Sequence, residues 1–204
     1  MLDIIAALDR KQTKKVDVQI AGEHLMDAPQ IMIELVGSSL PRYILLTPSG
    51  EYLGEIKFHF PLSYVHMLVW HGIHLSLPFQ ATLYDHQGKM LGFMKKKGFL
   101  TSKGSYFTNN GELMGEYLGS GLWDGNLVDA NGKEIIYTDS GSNYRNTYLE
   151  DAYGNQVVSV KRSISVEENK KLFPDETVIV EFHKDRTKEE KSMLLMSWCT
   201  AMWM

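Results

Sequence analysis

Residues 85–92 read Asp85-His-Gln-Gly88-Lys-Met-Leu91-Gly92, and the same pattern returns along the chain. It recurs as Thr47-Pro-Ser-Gly50-Glu-Tyr-Leu53-Gly54 and Thr108-Asn-Asn-Gly111-Glu-Leu-Met114-Gly115, then as Asp129-Ala-Asn-Gly132-Lys-Glu-Ile135-Ile136 and Asp151-Ala-Tyr-Gly154-Asn-Gln-Val157-Val158. Asp, Asn and Thr side chains bond their own backbone across a turn, and the closing glycine supplies the positive φ that the turn or its bulge needs. A β-prone stretch on either side makes each copy a hairpin. Glycines 88, 111, 132 and 154 lie about 22 residues apart, the length of a hairpin plus its connection. Asx-x-x-Gly turns occur in any β protein. Five in frame, three with a second glycine four residues on (Gly54, Gly92, Gly115), mark a repeat.

Further strands fill the gaps. Val16, Val18 and Ile20 alternate with Asp17 and Gln19; Ile31, Ile33 and Leu35 share one face, as do Val178, Val180 and Phe182. About a dozen strands in a meander close on themselves, because closure removes exposed edges. The last segment differs in kind. Thr187-Lys-Glu-Glu190 spells a capping box, and Ser192 to Met204 is apolar all round, its only polar residues the small Ser192, Ser197 and Thr200. A helix apolar on every side belongs in an interior or a membrane. At 13 residues it spans about 20 Å, short of the ~30 Å hydrocarbon core, so burial inside the barrel is the expectation. Cys199 is then an inert core thiol. The fold class expected is mainly β: an approximately twelve-stranded closed antiparallel barrel around a buried apolar helix at about 188–203, with a short N-terminal helix carrying Leu2, Ile5, Ala6 and Leu8.

Composition narrows the function. The 204 residues are 44% hydrophobic and 23% charged, with a net charge of −4, an ordinary globular profile without the basic field that draws a protein to nucleic acid. One cysteine allows no internal disulfide, and no stretch reads as a secretory signal or a membrane span. These features lead to the expectation of a cytoplasmic protein, peripheral to a membrane if it meets one. No nucleophile elbow, Walker loop, dinucleotide fingerprint or H-E-x-x-H zinc motif occurs, so no catalytic residue, cofactor or metal is assigned. His59, His66, His71 and His74 crowd one region, but it is rich in aromatic and aliphatic residues and has no nearby thiolate; packing is the preferred reading.

The repeated D-x-x-G-x-x-[aliphatic]-G hairpins followed by a capped apolar helix resemble the tubby C-terminal-like superfamily, which includes tubby-like, plant LURP-one-related, phospholipid scramblase and compact bacterial proteins. The bacterial type is the nearest in character. The resemblance covers about residues 40–204 and includes Gly72-Ile-His-Leu-Ser-Leu-Pro-Phe79 and Lys184-Asp-Arg-Thr-Lys-Glu-Glu-Lys191. It implies a twelve-stranded barrel threaded by its C-terminal helix; residues 1–38 fall outside the resemblance and are expected to form a helix-and-strand extension packed on a barrel domain of residues 39–204. Family members bind phosphoinositides or are linked to lipid and calcium, but no ligand motif matches residue by residue, and no site is carried over.

The densest positive cluster is Lys95-Lys96-Lys97 with Lys103 nearby, a candidate contact for anionic lipid head groups, each lysine near such a surface adding about 1 kcal/mol. The competing reading is a lysine-protected strand or loop that resists edge pairing. The functional expectation is a non-catalytic binding module whose first candidate ligand is an anionic phospholipid surface. The alternative is a protein-interaction or regulatory partner of inhibitor or immunity type, and a lipid-active enzyme ranks below both.

Overall fold

The computed structural model describes residues 19, 21–22, 24–36, 42–60, 78–96, 103–119, 125–137, 146–151, 153–162, 178–183 and 186–203. The expected N-terminal helix, most of the expected strand 16–20, His66, His71, His74 and Lys97 lie outside them. Twelve strands follow in chain order: β1 (Gln30–Val36), β2 (Arg42–Leu46), β3 (Tyr52–His59), β4 (Phe79–Asp85), β5 (Met90–Lys96), β6 (Gly104–Thr108), β7 (Leu113–Gly119), β8 (Gly125–Asp129), β9 (Glu134–Tyr137), β10 (Asn146–Glu150), β11 (Gln156–Arg162) and β12 (Val178–Phe182). Each pairs antiparallel with the next, and β1 pairs with β12 through Ile31↔Val180 and Ile33↔Val178 to close the barrel. The expected boundary at residues 38/39 is therefore corrected. Strand β1 is part of the barrel wall, because without it β2 and β12 would each leave an open edge.

The five repeat copies join β2 to β3, β4 to β5, β6 to β7, β8 to β9 and β10 to β11, so all lie at one end of the barrel. In each, the glycine N–H donates to the carbonyl of the turn's first residue at 2.9–3.0 Å, and that first residue's N–H donates to the carbonyl just after the glycine at 2.8–3.0 Å. Glycine φ values run from 76° to 88°, and the register slips at every copy, as a turn closed by a glycine bulge requires. The opening side chain completes the turn. Asp85 Oδ1 accepts the N–H groups of Gln87 and Lys89 at 2.9 and 2.8 Å, and Asp129 and Asp151 do the same in their turns. At Thr47 and Thr108 the single hydroxyl accepts from the residue four positions on, Glu51 and Glu112.

Helix α1 (Lys188–Trp203) follows β12 and runs into the barrel. Its capping box forms as the spacing predicts: Thr187 Oγ1 accepts the Glu190 N–H at 3.2 Å, and Glu190 Oε2 accepts the Thr187 N–H at 3.0 Å. Met193, Leu194, Leu195, Met196, Trp198 and Cys199 are all buried in the core with the inward residues of the wall. Ser192 and Thr200 return their hydroxyls to the carbonyls of Lys188 and Met196, while Ser197 reaches the wall instead, 2.5 Å from the Tyr106 hydroxyl. Gly115 lets the helix approach. A Cβ there would run into the Val128 carbonyl oxygen and lie 2.7 Å from Met193 Sδ.

One feature has no counterpart in the repeat. Residues 24–28 fold across the barrel mouth where α1 begins, with Leu25 and Ala28 almost fully buried. The segment is tied down by Lys191 Nζ donating to the Met26 carbonyl at 2.7 Å, by the Phe182 N–H donating to Pro29 at 3.0 Å, and by a 3.7 Å contact between Lys188 and Asp27.

Candidate binding surface on the outer wall

A strand alternates its side chains between the two faces of the wall, so the register decides which residues can meet a partner. In β5, Gly92, Met94 and Lys96 are buried, while Phe93 is half-buried and Lys95 exposed. Met94 faces inward, since its sulfur lies 3.4 Å from the Thr200 hydroxyl of α1. Lys96 therefore shares the interior face, and Lys95 points out.

The sequence had grouped Lys95, Lys96, Lys97 and Lys103 as one cluster. Lys95 and Lys103 are exposed, Lys97 is outside the described residues, and Lys96 is only 6% exposed, with its ammonium 5.8 Å from the centre of the Phe79 ring. Burial holds the Lys96 amine below its usual 10.5. Two neighbours in a strand cannot contribute to one surface, and the pleat separates this pair.

Lys95 instead joins residues that its run of lysines did not suggest. Phe93 and Phe107 pair across β5 and β6 and stack on the outer wall at 5.1 Å and 20°. The Lys95 ammonium lies over both rings, 4.9 Å from Phe93 and 5.7 Å from Phe107. Next along the wall, Lys57 lies 5.3 Å over the Tyr84 ring and 2.7 Å from Glu55, whose other oxygen takes Arg42. Leu113, paired with Phe107 on the other side, is 43% exposed. His59 ends β3, where partial burial, and then the Lys57 charge, hold its imidazole below the usual 6.5. A signal for this surface was available: with Gly92 turned inward, parity alone sends Phe93 and Lys95 outward.

The interior offers less chemistry. Tyr43, Tyr106 and Cys199 are buried, and burial pushes each well above its ordinary pKa, so none supplies a phenolate or thiolate. No group of three His, Cys, Asp or Glu side chains is placed to hold a metal among the described residues. No helix among them is long and apolar enough to cross a membrane.

No protein-family model and no curated protein matches the chain. In three dimensions it is similar to the crystal structure of a protein from Arabidopsis thaliana, with a TM-score of 0.51 and 12% sequence identity over 84% of this chain and 91% of that one. The likeness is one of fold. Twelve antiparallel strands closed around a C-terminal helix are the architecture of this chain.

Proposed function

We propose that this chain is a non-catalytic, tubby-like binding module that meets anionic phospholipid head groups with the outer wall of β3 to β7. The observation that carries the reading is the Lys95 ammonium resting on the stacked, outward Phe93 and Phe107, with Lys57 on Tyr84 beside it. Aromatic rings with a cation at their edge suit the membrane interface, where apolar bodies sink and charges stay with phosphate. The electrostatic part is small. Lys57 is already paired with Glu55, and each free lysine near an anionic surface contributes about 1 kcal/mol, so Lys95 and Lys103 alone would hold weakly. The exposed part of Phe93, Phe107 and Leu113 has to supply the rest.

The test is flotation of the protein with vesicles of phosphatidylcholine alone or with added phosphatidylserine. The wild type should float only with the anionic vesicles, less so at high salt, and K95E/F107S should stay at the bottom while still melting in one cooperative transition. Equal flotation of wild type and variant, or none for the wild type at low salt, rejects the lipid surface. In that case a protein partner becomes the better reading, and the exposed Leu113 beside the aromatic pair is where it would dock.

A further inference from the structure

Two of the five turns place an asparagine directly before the positive-φ glycine: Asn110-Gly111 between β6 and β7, and Asn131-Gly132 between β8 and β9. The other three have Ser49, Gln87 and Tyr153 at that position. Both asparagines are exposed. Beyond the chain neighbours, no atom of the described residues lies within 4 Å of where a Cβ on Gly111 or Gly132 would stand, so water reaches both pairs. In an Asn-Gly pair the side-chain amide meets the next backbone nitrogen with no side chain in the way.

When the two meet, the glycine N–H loses its proton to base from water and its nitrogen bonds to the asparagine Cγ. The Cγ–Nδ2 bond breaks, the amide nitrogen takes up a proton and leaves as ammonia, and a cyclic imide remains. Water then opens either imide carbonyl, giving aspartate or an isoaspartate whose side-chain carbon has entered the backbone. The fold resists the first step. Gly111 and Gly132 donate their N–H groups to the Thr108 and Asp129 carbonyls, each at 3.0 Å, so neither nitrogen can react until its turn opens. The bracing of the two turns differs. Asp129 Oδ1 accepts the N–H groups of Asn131 and Lys133, both at 2.8 Å, in charge-assisted bonds, whereas Thr108 offers one neutral hydroxyl, which accepts the Glu112 N–H at 3.2 Å. We infer that Asn110 is a site of spontaneous conversion to aspartate and isoaspartate, and that Asp129 shields Asn131 from the same reaction. The product puts a new carboxylate near Glu112 and, as isoaspartate, lengthens the backbone of a turn whose register is fixed at Phe107↔Leu113.

The full chain is kept folded in mildly alkaline buffer and, in parallel, unfolded in urea, and peptide mapping by mass spectrometry follows amide loss at both asparagines. The urea rates report the intrinsic chemistry, and each folded rate is divided by its urea rate. The quotient for Asn110 should exceed that for Asn131 by about threefold or more, the weight of one charge-assisted bond in holding a turn shut. Thr108→Asp should slow Asn110 in the folded protein, and Asp129→Thr should speed Asn131. Each swap is read within its own hairpin, so other differences between the hairpins cancel, and if one variant no longer melts cooperatively the other decides. Equal quotients, a faster Asn131, a swap that leaves its own site's rate unchanged, or an intact Asn110 in the folded chain after the urea sample has reacted would each overturn the inference.

Discussion

Glycine does two different jobs in the repeat, and substitution separates them. Gly111 sits at φ 86° with open space where a Cβ would go, so Gly111→Ala meets only backbone strain, about 1–2 kcal/mol, partly offset because alanine also stiffens the unfolded chain. Gly115 has no unusual φ, but a Cβ would strike the Val128 carbonyl and crowd Met193, so the wall and the helix must separate. Gly115→Ala should therefore be the costlier of the two in urea unfolding; equal midpoints would mean that the helix does not press on the wall there. Lys96 gives a second residue-level expectation. Its ammonium lies near the Phe79 ring, and burial lowers its pKa. Between the lowered folded value and the ordinary 10.5 the unfolded chain carries the extra proton, so stability rises with pH across that window. Lys96→Met should flatten the rise of the urea midpoint toward pH 10. An equally steep rise in Lys96→Met would show that another group is responsible for it.

Among the elements, α1 is the one without which the others cannot be folded. Twelve strands bent into a barrel bury their inward Ile33, Ile56, Leu83, Ile136 and Val180 only if something fills the lumen. The helix does so with Met193, Leu194, Leu195, Met196 and Trp198, each worth roughly 1.5–3 kcal/mol of burial against a net stability of about 5–15 kcal/mol for a domain. Removing residues 192–204 should abolish cooperative folding, and a truncated protein that stays monomeric with a sharp thermal transition would refute the filled barrel. Loss of the cap alone is a milder change. Thr187→Ala forfeits the bond to the Glu190 N–H and should lower stability by about 1 kcal/mol, measurable in the same unfolding experiment.

For the whole molecule, closure joins the ends of the strand order, β1 to β12, and α1 follows every strand, so the core cannot be complete until the last element is made. Such non-local topologies fold in milliseconds to seconds rather than microseconds. The repeat of Asp or Thr with Gly, the alternation in the strands and the capping box were all legible, because each is a local interaction between residues a few positions apart. Strand number, hairpin positions, helix bounds and the buried helix followed from them. Three things were not legible. Residues 24–28 carry no periodic pattern, and only the open barrel mouth beside α1 gives Leu25 a place to be buried. The cluster of lysines looked continuous in one dimension, while the pleat sends Lys95 out to Phe93 and Phe107 and Lys96 in to Phe79. Met26, Met90 and Met114 lie far apart in the chain and line one pocket only because β5, β7 and the mouth segment converge on the helix. The sequence by itself determined the hairpins and the helix, whose hydrogen bonds and turns are short-range. Tertiary structure decided which faces and which distant side chains share a surface, because the register of a closed barrel is set by all its strands at once.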